Sequence, residues 1–108
     1  MELKDLLKFI DIEDERLKKY YSHYDDKEKR ILARTVKLNE EIGELCNEVL
    51  VYNSMQRKQK LDNHNKDNLP EEFADVIITA LLLAKSMDVD IKKALEKKIE
   101  KVNKRYES

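Results

Sequence analysis

Apolar positions along the chain recur with a helical period in four separate stretches. Leu3, Leu6, Leu7, Ile10 and Leu17 fall near a 3.6-residue spacing, which predicts a helix over about Leu3 to Tyr20 whose pattern is weakened by the polar run Asp11 to Arg16. Ile31, Leu38, Ile42, Leu45, Val49 and Tyr52 carry the strongest repeat and predict a longer helix from Asp25 or Asp26 to about Ser54. The segment Gln56 to Leu69 is polar and rich in Asp and Asn, so it reads as a loop. Pro70 then sits where a helix can begin, with Glu71 and Glu72 suited to the positive end of the helix dipole, and a third helix is expected to run to about Met87. Asp88-Val89-Asp90 reads as a short connection in which Asp90 caps a fourth helix, Ile91 to about Tyr106, with Ile91, Leu95, Ile99 and Val102 on one face.

Composition narrows this picture. One Gly and one Pro in 108 residues cannot furnish the turns of a β-sandwich or barrel, so the expected fold is all-α, a four-helix bundle-like single domain. The 22 basic and 23 acidic residues leave a formal charge of -1, which gives no global attraction to a nucleic acid polymer or an anionic membrane. The longest apolar stretch, Val76 to Ala84, is far too short to span a bilayer, and the charged start Met1-Glu2-Leu3-Lys4-Asp5 lacks a secretory apolar region. Cys46 has no possible intrachain partner, and a cytoplasmic setting is expected. Its expected role is that of a small core residue.

The third helix is apolar nearly all round from Val76 to Ala84, the mark of a helix covered on every side, yet Glu72, Asp75 and Thr79 draw a polar stripe along it. Four helices in one chain rarely hide one of their number completely, so a homodimer or homotetramer is expected. A carboxylate in such a setting costs several kcal/mol unless it is paired, protonated or metal-bound. On the second helix, Glu41, Glu44 and Glu48 lie along one flank of the apolar stripe, and Gly43 between them suggests close approach of a neighbour. If these two helices pack antiparallel, Glu41 and Glu44 can face Glu72 and Asp75. Four oxygen donors of this kind suit Mg²⁺ or Mn²⁺ rather than Zn²⁺.

The segment Lys37-Leu38-Asn39-Glu40-Glu41-Ile42-Gly43-Glu44-Leu45, followed by Glu71-Glu72-Phe73-Ala74-Asp75-Val76, resembles the ExxE…ExxD signature of the MazG-like all-α nucleotide pyrophosphohydrolases. The likeness continues through Ser86-Met87-Asp88-Val89-Asp90-Ile91 and into the last helix, covering Leu32 to Tyr106. The resemblance implies hydrolysis of a nucleoside or deoxynucleoside triphosphate to the monophosphate and pyrophosphate. It implies Glu41, Glu44, Glu72 and Asp75 as ligands of Mg²⁺ or Mn²⁺, with Glu41 or Glu44 accepting the proton of the attacking water. It also implies phosphate contacts from Lys98, Lys101, Asn103 and Arg105, although related sequences often place the Asn where this chain has Val102. Part of the family's base pocket comes from the first helix, and Tyr20, Tyr21, His23 and Tyr24 are the aromatic candidates nearby. Two other readings stand beside this one: a phosphoribosyl-ATP pyrophosphohydrolase, and a non-catalytic helical module that binds metal or a partner. A di-iron bundle is disfavoured because neither His23 nor His64 follows a Glu by three residues.

Overall fold

The structure, a computed structural model, describes residues 1–21, 26–53 and 68–107. Four helices are present, α1 Leu3–Tyr20, α2 Lys27–Tyr52, α3 Asn68–Ser86 and α4 Ile91–Lys104, and the described residues contain no strand. The caps explain the starts. The Asp26 carboxylate accepts hydrogen bonds from the backbone N–H of Glu28 at 2.9 Å and of Lys29 at 3.4 Å, and that of Asp90 accepts from Lys93 at 3.1 Å. At α1 the Glu2 backbone N–H donates to the Asp5 carboxylate at 2.9 Å.

Several boundaries differ from those the sequence suggests. Helix α3 begins at Asn68, so Asn68 and Leu69 belong to the helix, and Pro70 is its third residue. Pro is tolerated there because the first N–H groups of a helix have no intrahelical acceptor. The remainder of the expected loop, and the end of α2 near Ser54, lie outside the described residues. Helix α3 stops at Ser86 and α4 at Lys104 rather than at Met87 and Tyr106. Between them Asp88 adopts φ 57°, a left-handed conformation that Asp tolerates, and the Val89 N–H returns to the Ala84 carbonyl at 3.0 Å. Lys27 Nζ, 2.6 Å from the Asp88 carboxylate, ties this corner to the start of α2.

Helices α2 and α3 form the main packed pair, and α1 lies against α3. The buried apolar side chains among the described residues are Ile10, Val51 and Leu82, whereas Asp14, Arg30, Arg34, Glu41, Thr79 and Ser86 are buried polar ones. Charge therefore shapes this interior as much as hydrocarbon does. Helix α4 has no buried residue, and Leu95 and Ile99 on its apolar face are 42% and 59% exposed. The radius of gyration, 17.1 Å against about 13 Å for a compact chain of 100 residues, fits a last helix that extends from the pair rather than closing a bundle.

Three expectations are corrected here. Cys46 is exposed, because its position on α2 faces away from α3. A methyl group built on Gly43 meets no atom within 4 Å, so no neighbour within the chain requires the glycine. The polar run Asp11 to Arg16 does not weaken α1 either. Asp14 within it is the most buried side chain on the helix, held by Arg34.

Candidate metal centre

The seam between α2 and α3 carries charges at helical spacing. Arg30, Arg34, Glu41 and Glu48 follow one another along one side of α2 at intervals of one to two turns, the first three buried and Glu48 half-buried. The sign changes midway, from basic in the first half of α2 to acidic in the second. Opposite, α3 presents Glu72, Asp75, Thr79, Leu82 and Ser86 in the reverse order, as antiparallel packing requires.

At the acidic end, Glu41, Glu72 and Asp75 each offer a carboxylate oxygen, and the three atoms lie within 4.8 Å of one another. Glu41 is buried, Glu72 half-buried and Asp75 exposed, so the group opens on one side. The second oxygens of Glu41 and Glu72 are buried without a hydrogen-bond partner. Buried acceptors of like charge, close together and unpaired, are costly unless a cation meets them. Lys37 supplies part of that charge from one turn away, its Nζ lying 3.2 Å from the other oxygen of Glu41 and 3.8 Å from Glu40. The hydrogen bond to Glu41 raises the Lys37 pKa in return. Thr79 contributes no donor to the acids, because its hydroxyl donates to the Asp75 backbone carbonyl at 2.6 Å.

The titration behaviour follows this crowding. Glu44 is raised above the ordinary carboxylate range, first by the negative charge of Glu41 and then by desolvation and Glu40. Glu72 is raised as well, first by burial and then by the charges of Glu44, Asp75, Glu41 and Glu48. Both shifts reflect carboxylates crowded against one another at this end of the seam. An all-oxygen set of this kind fits a hard divalent cation.

Of the four acids singled out in the sequence, three converge and Glu44 stands outside the trio, exposed but close enough to feel Glu41. Lys98, Lys101, Asn103 and Arg105 do not reach it. All four lie exposed on α4 or at its C-terminal cap. A cleft of about 410 Å³ leads from the acids beneath α1, lined by Glu41, Lys37 and Arg34 of α2 and by Asp75, Ile78, Thr79 and Leu82 of α3. Glu13, Leu17 and Tyr21 close it from the α1 side. Tyr21 is thus the aromatic candidate that the fold brings to the site, whereas Tyr20 is 84% exposed and His23 and Tyr24 lie outside the described residues.

Arg34 is the site residue that sequence reasoning passed over. Its Nη1 lies 2.7 Å from Asp14 Oδ1 and donates to the Leu82 carbonyl at 2.9 Å, joining α1, α2 and α3 at one point. The available signal was spacing: Arg34 precedes Glu41 by seven residues and so shares its face of α2.

The model of the MazG-like family matches residues 33–108, which includes the trio and both helices that present it. The chain belongs to the MazG-like family. That membership points to a nucleotide pyrophosphohydrolase type of function and to dependence on a divalent metal, for which the acid trio is a suitable holder. The chain is also 32% identical over 74 residues to the uncharacterized protein YpjD of Bacillus subtilis (strain 168), a match covering 68% of this chain and 65% of that relative. No solved structure matches the chain. The family match begins inside α2, so α1 and the Asp14 partner of Arg34 lie outside it. None of the helices formed by the described residues is long and apolar enough to cross a membrane.

Proposed function

We propose that the protein is a Mg²⁺-dependent pyrophosphohydrolase that cleaves nucleoside or deoxynucleoside triphosphates to the monophosphate and pyrophosphate, in the service of removing unwanted nucleotides. One observation carries the reading: in a MazG-like chain, carboxylate oxygens of Glu41, Glu72 and Asp75 converge within 4.8 Å, and Glu41 and Glu72 each keep a buried oxygen without a hydrogen-bond partner. These three would hold the cation, Mg²⁺ or Mn²⁺, which when bound neutralises phosphate charge and polarises the scissile phosphoryl group. Glu44 borders them and faces solvent. It is the carboxylate best placed to orient the attacking water and accept its proton, while Glu41 is committed to the trio and to Lys37. Lys37 holds Glu41 in position from within the same helix.

The site is proposed to work in a homodimer or homotetramer. The exposed apolar face of α4, together with Phe73 and Ile77 on α3, leaves surface that a second copy would cover. Lys98, Lys101 and Arg105 stand apart from the acids in one chain, so α4 of a neighbouring copy is the proposed source of basic groups for the phosphates. The mass in solution tests this directly. A monomer in light scattering at micromolar concentration would remove it.

The activity is tested by incubating the protein with NTPs, dNTPs and phosphoribosyl-ATP, with and without Mg²⁺, and resolving the products. Monophosphate and pyrophosphate that depend on Mg²⁺ and vanish in Asp75→Ala establish the reaction and rank the substrates. Preference for phosphoribosyl-ATP would shift the substrate within the same chemistry. No turnover with metal bound and the fold intact would make the chain a non-catalytic helical module.

A further inference from the structure

The cleft beside the acid trio ends at a cation that the proposed reaction does not use. Arg34 is 4% exposed, and both of its contacts with the fold, to Asp14 and to the Leu82 carbonyl, are made by Nη1. Its Nε and Nη2 are buried with no hydrogen-bond partner. These two nitrogens form one edge of the guanidinium, the edge that donates two parallel hydrogen bonds to a pair of adjacent acceptors. A buried donor left unsatisfied carries its full desolvation penalty, so an edge of two is a costly feature unless something is to meet it.

Position narrows what that something is. Arg34 lies seven residues before Glu41, about 10 Å along α2, so a nucleotide with its phosphates at the acids would extend its base towards Arg34. The walls in between are those of Leu17, Ile78 and Leu82, with Tyr21 at the rim. These apolar walls suit a planar base; of the charged residues that also line the cleft, Lys37 is engaged by Glu41 and the Glu13 carboxylate disfavours a second polyanionic group. Among the Hoogsteen edges of the common bases only that of a 6-oxopurine presents two adjacent acceptors, O6 and N7. On the Watson–Crick edges cytosine alone offers a comparable pair, N3 and O2, so dCTP is the control that separates the two. Adenine and cytosine turn an amino donor to the same edge, and uracil and thymine present a single carbonyl there.

We propose that Arg34 is a specificity-determining residue that donates from Nε and Nη2 to O6 and N7 of a 6-oxopurine nucleotide bound in this cleft, with Asp14 as the positioning residue that fixes the guanidinium. The inference rests on the pyrophosphohydrolase reading of the acid trio and adds the base class to it. Because both nitrogens are buried, the base enters edge-on between α1 and α3 rather than lying across the cleft mouth.

The test compares kcat/KM of the full chain with Mg²⁺ for dGTP, 7-deaza-dGTP, dATP and dCTP. The 7-deaza compound keeps O6 and lacks only the N7 acceptor. Loss of that one acceptor should lower kcat/KM by about 10-fold or more, and the amino group of dATP by about 100-fold or more. Equal efficiency on dGTP and its 7-deaza analogue, or higher efficiency on dCTP than on dGTP, overturns the proposal while leaving the reaction in place. Absence of hydrolysis for every nucleotide removes the reading of the trio and this inference with it. A second arm uses Asp14→Leu/Arg34→Met, which replaces the ion pair by hydrocarbon and is checked for helix content and melting. In the folded variant the ratio between dGTP and its 7-deaza analogue should collapse towards one, and an unchanged ratio also overturns the proposal. Should the variant fail to fold, the wild-type comparison alone decides.

Discussion

The two ends of the α2–α3 seam bury charge in opposite ways. At one end Asp14 accepts from Arg34 at 2.7 Å and from Lys18 at 3.0 Å, and burial, which alone would push the Asp14 pKa up, is outweighed by those hydrogen bonds so that it stays below the ordinary value. At the other, Glu41, Glu72 and Asp75 face one another, with Lys37 3.2 Å from Glu41, and Glu72 is driven up, first by burial. The first end is neutralised by its own chain and ties three helices together. The second gathers carboxylates of one sign, an excess that a cation from solution would relieve. The difference teaches how to separate a buried charge that is neutralised within the fold from one that is not: the former meets its opposite charge inside the fold, even where, as at Arg34, a donor edge is left over.

The largest effect should come from breaking the paired end. Arg34→Ala strands Asp14 in the interior and should cost about 3–5 kcal/mol, read as a fall in melting temperature on the order of 12 °C or more. At the unpaired end the penalty should fall on catalysis instead. Glu72→Ala or Asp75→Ala should lower kcat/KM on the preferred triphosphate by about 100-fold or more, since loss even of groups that merely support metal ligands costs 10–100-fold. Their melting temperatures without metal should hold or rise. A fall matching that of Arg34→Ala would erase the contrast between the ends.

Acid should act on the paired end next. The folded Asp14 pKa lies below its ordinary 3.8, so its stabilisation is present above about pH 4 and is lost as pH falls through the depressed value. Melting followed from pH 5 downward should therefore show a decline that Asp14→Asn, already destabilised, lacks. The smallest effect belongs to Glu44→Gln, which removes one charge from an exposed flank of the trio. It should raise metal-free stability slightly, detectable as a small shift of the denaturation midpoint, while still depressing turnover. An unaltered turnover would move the proton-accepting role away from Glu44.

The sequence spoke clearly where a physical rule is local. The periodic apolar face of α2, the capping carboxylates of Asp26 and Asp90, and the facing of Glu41 with Glu72 and Asp75 all follow from spacing along a helix. Asp14 and Arg34 escaped because they are 20 residues apart, and nothing local distinguishes a charged residue bound for burial from one bound for solvent. Gly43 and Cys46 misled for a related reason. Both sit between core-facing positions in the sequence, but on α2 they rotate away from α3, so neither meets the close packing expected of it. The basic character of α4 is plain in the sequence, whereas the direction in which α4 leaves α3 depends on the corner at Asp88. No periodicity encodes that.

That corner leaves a 14-residue helix with no buried residue of its own. Isolated helices of this length are marginal in water, because the costly first turn is offset by few subsequent hydrogen bonds. Amide protons of α4 should then exchange with solvent far faster than those of α2 whenever its apolar face is bare, and slow down when that face is covered. The exchange rate of a single amide, such as that of Ile99, becomes a gauge of association as protein concentration is varied. Stability measured at one dilution would not transfer to another for this part of the molecule, even though the α2–α3 seam behaves as a fixed unit.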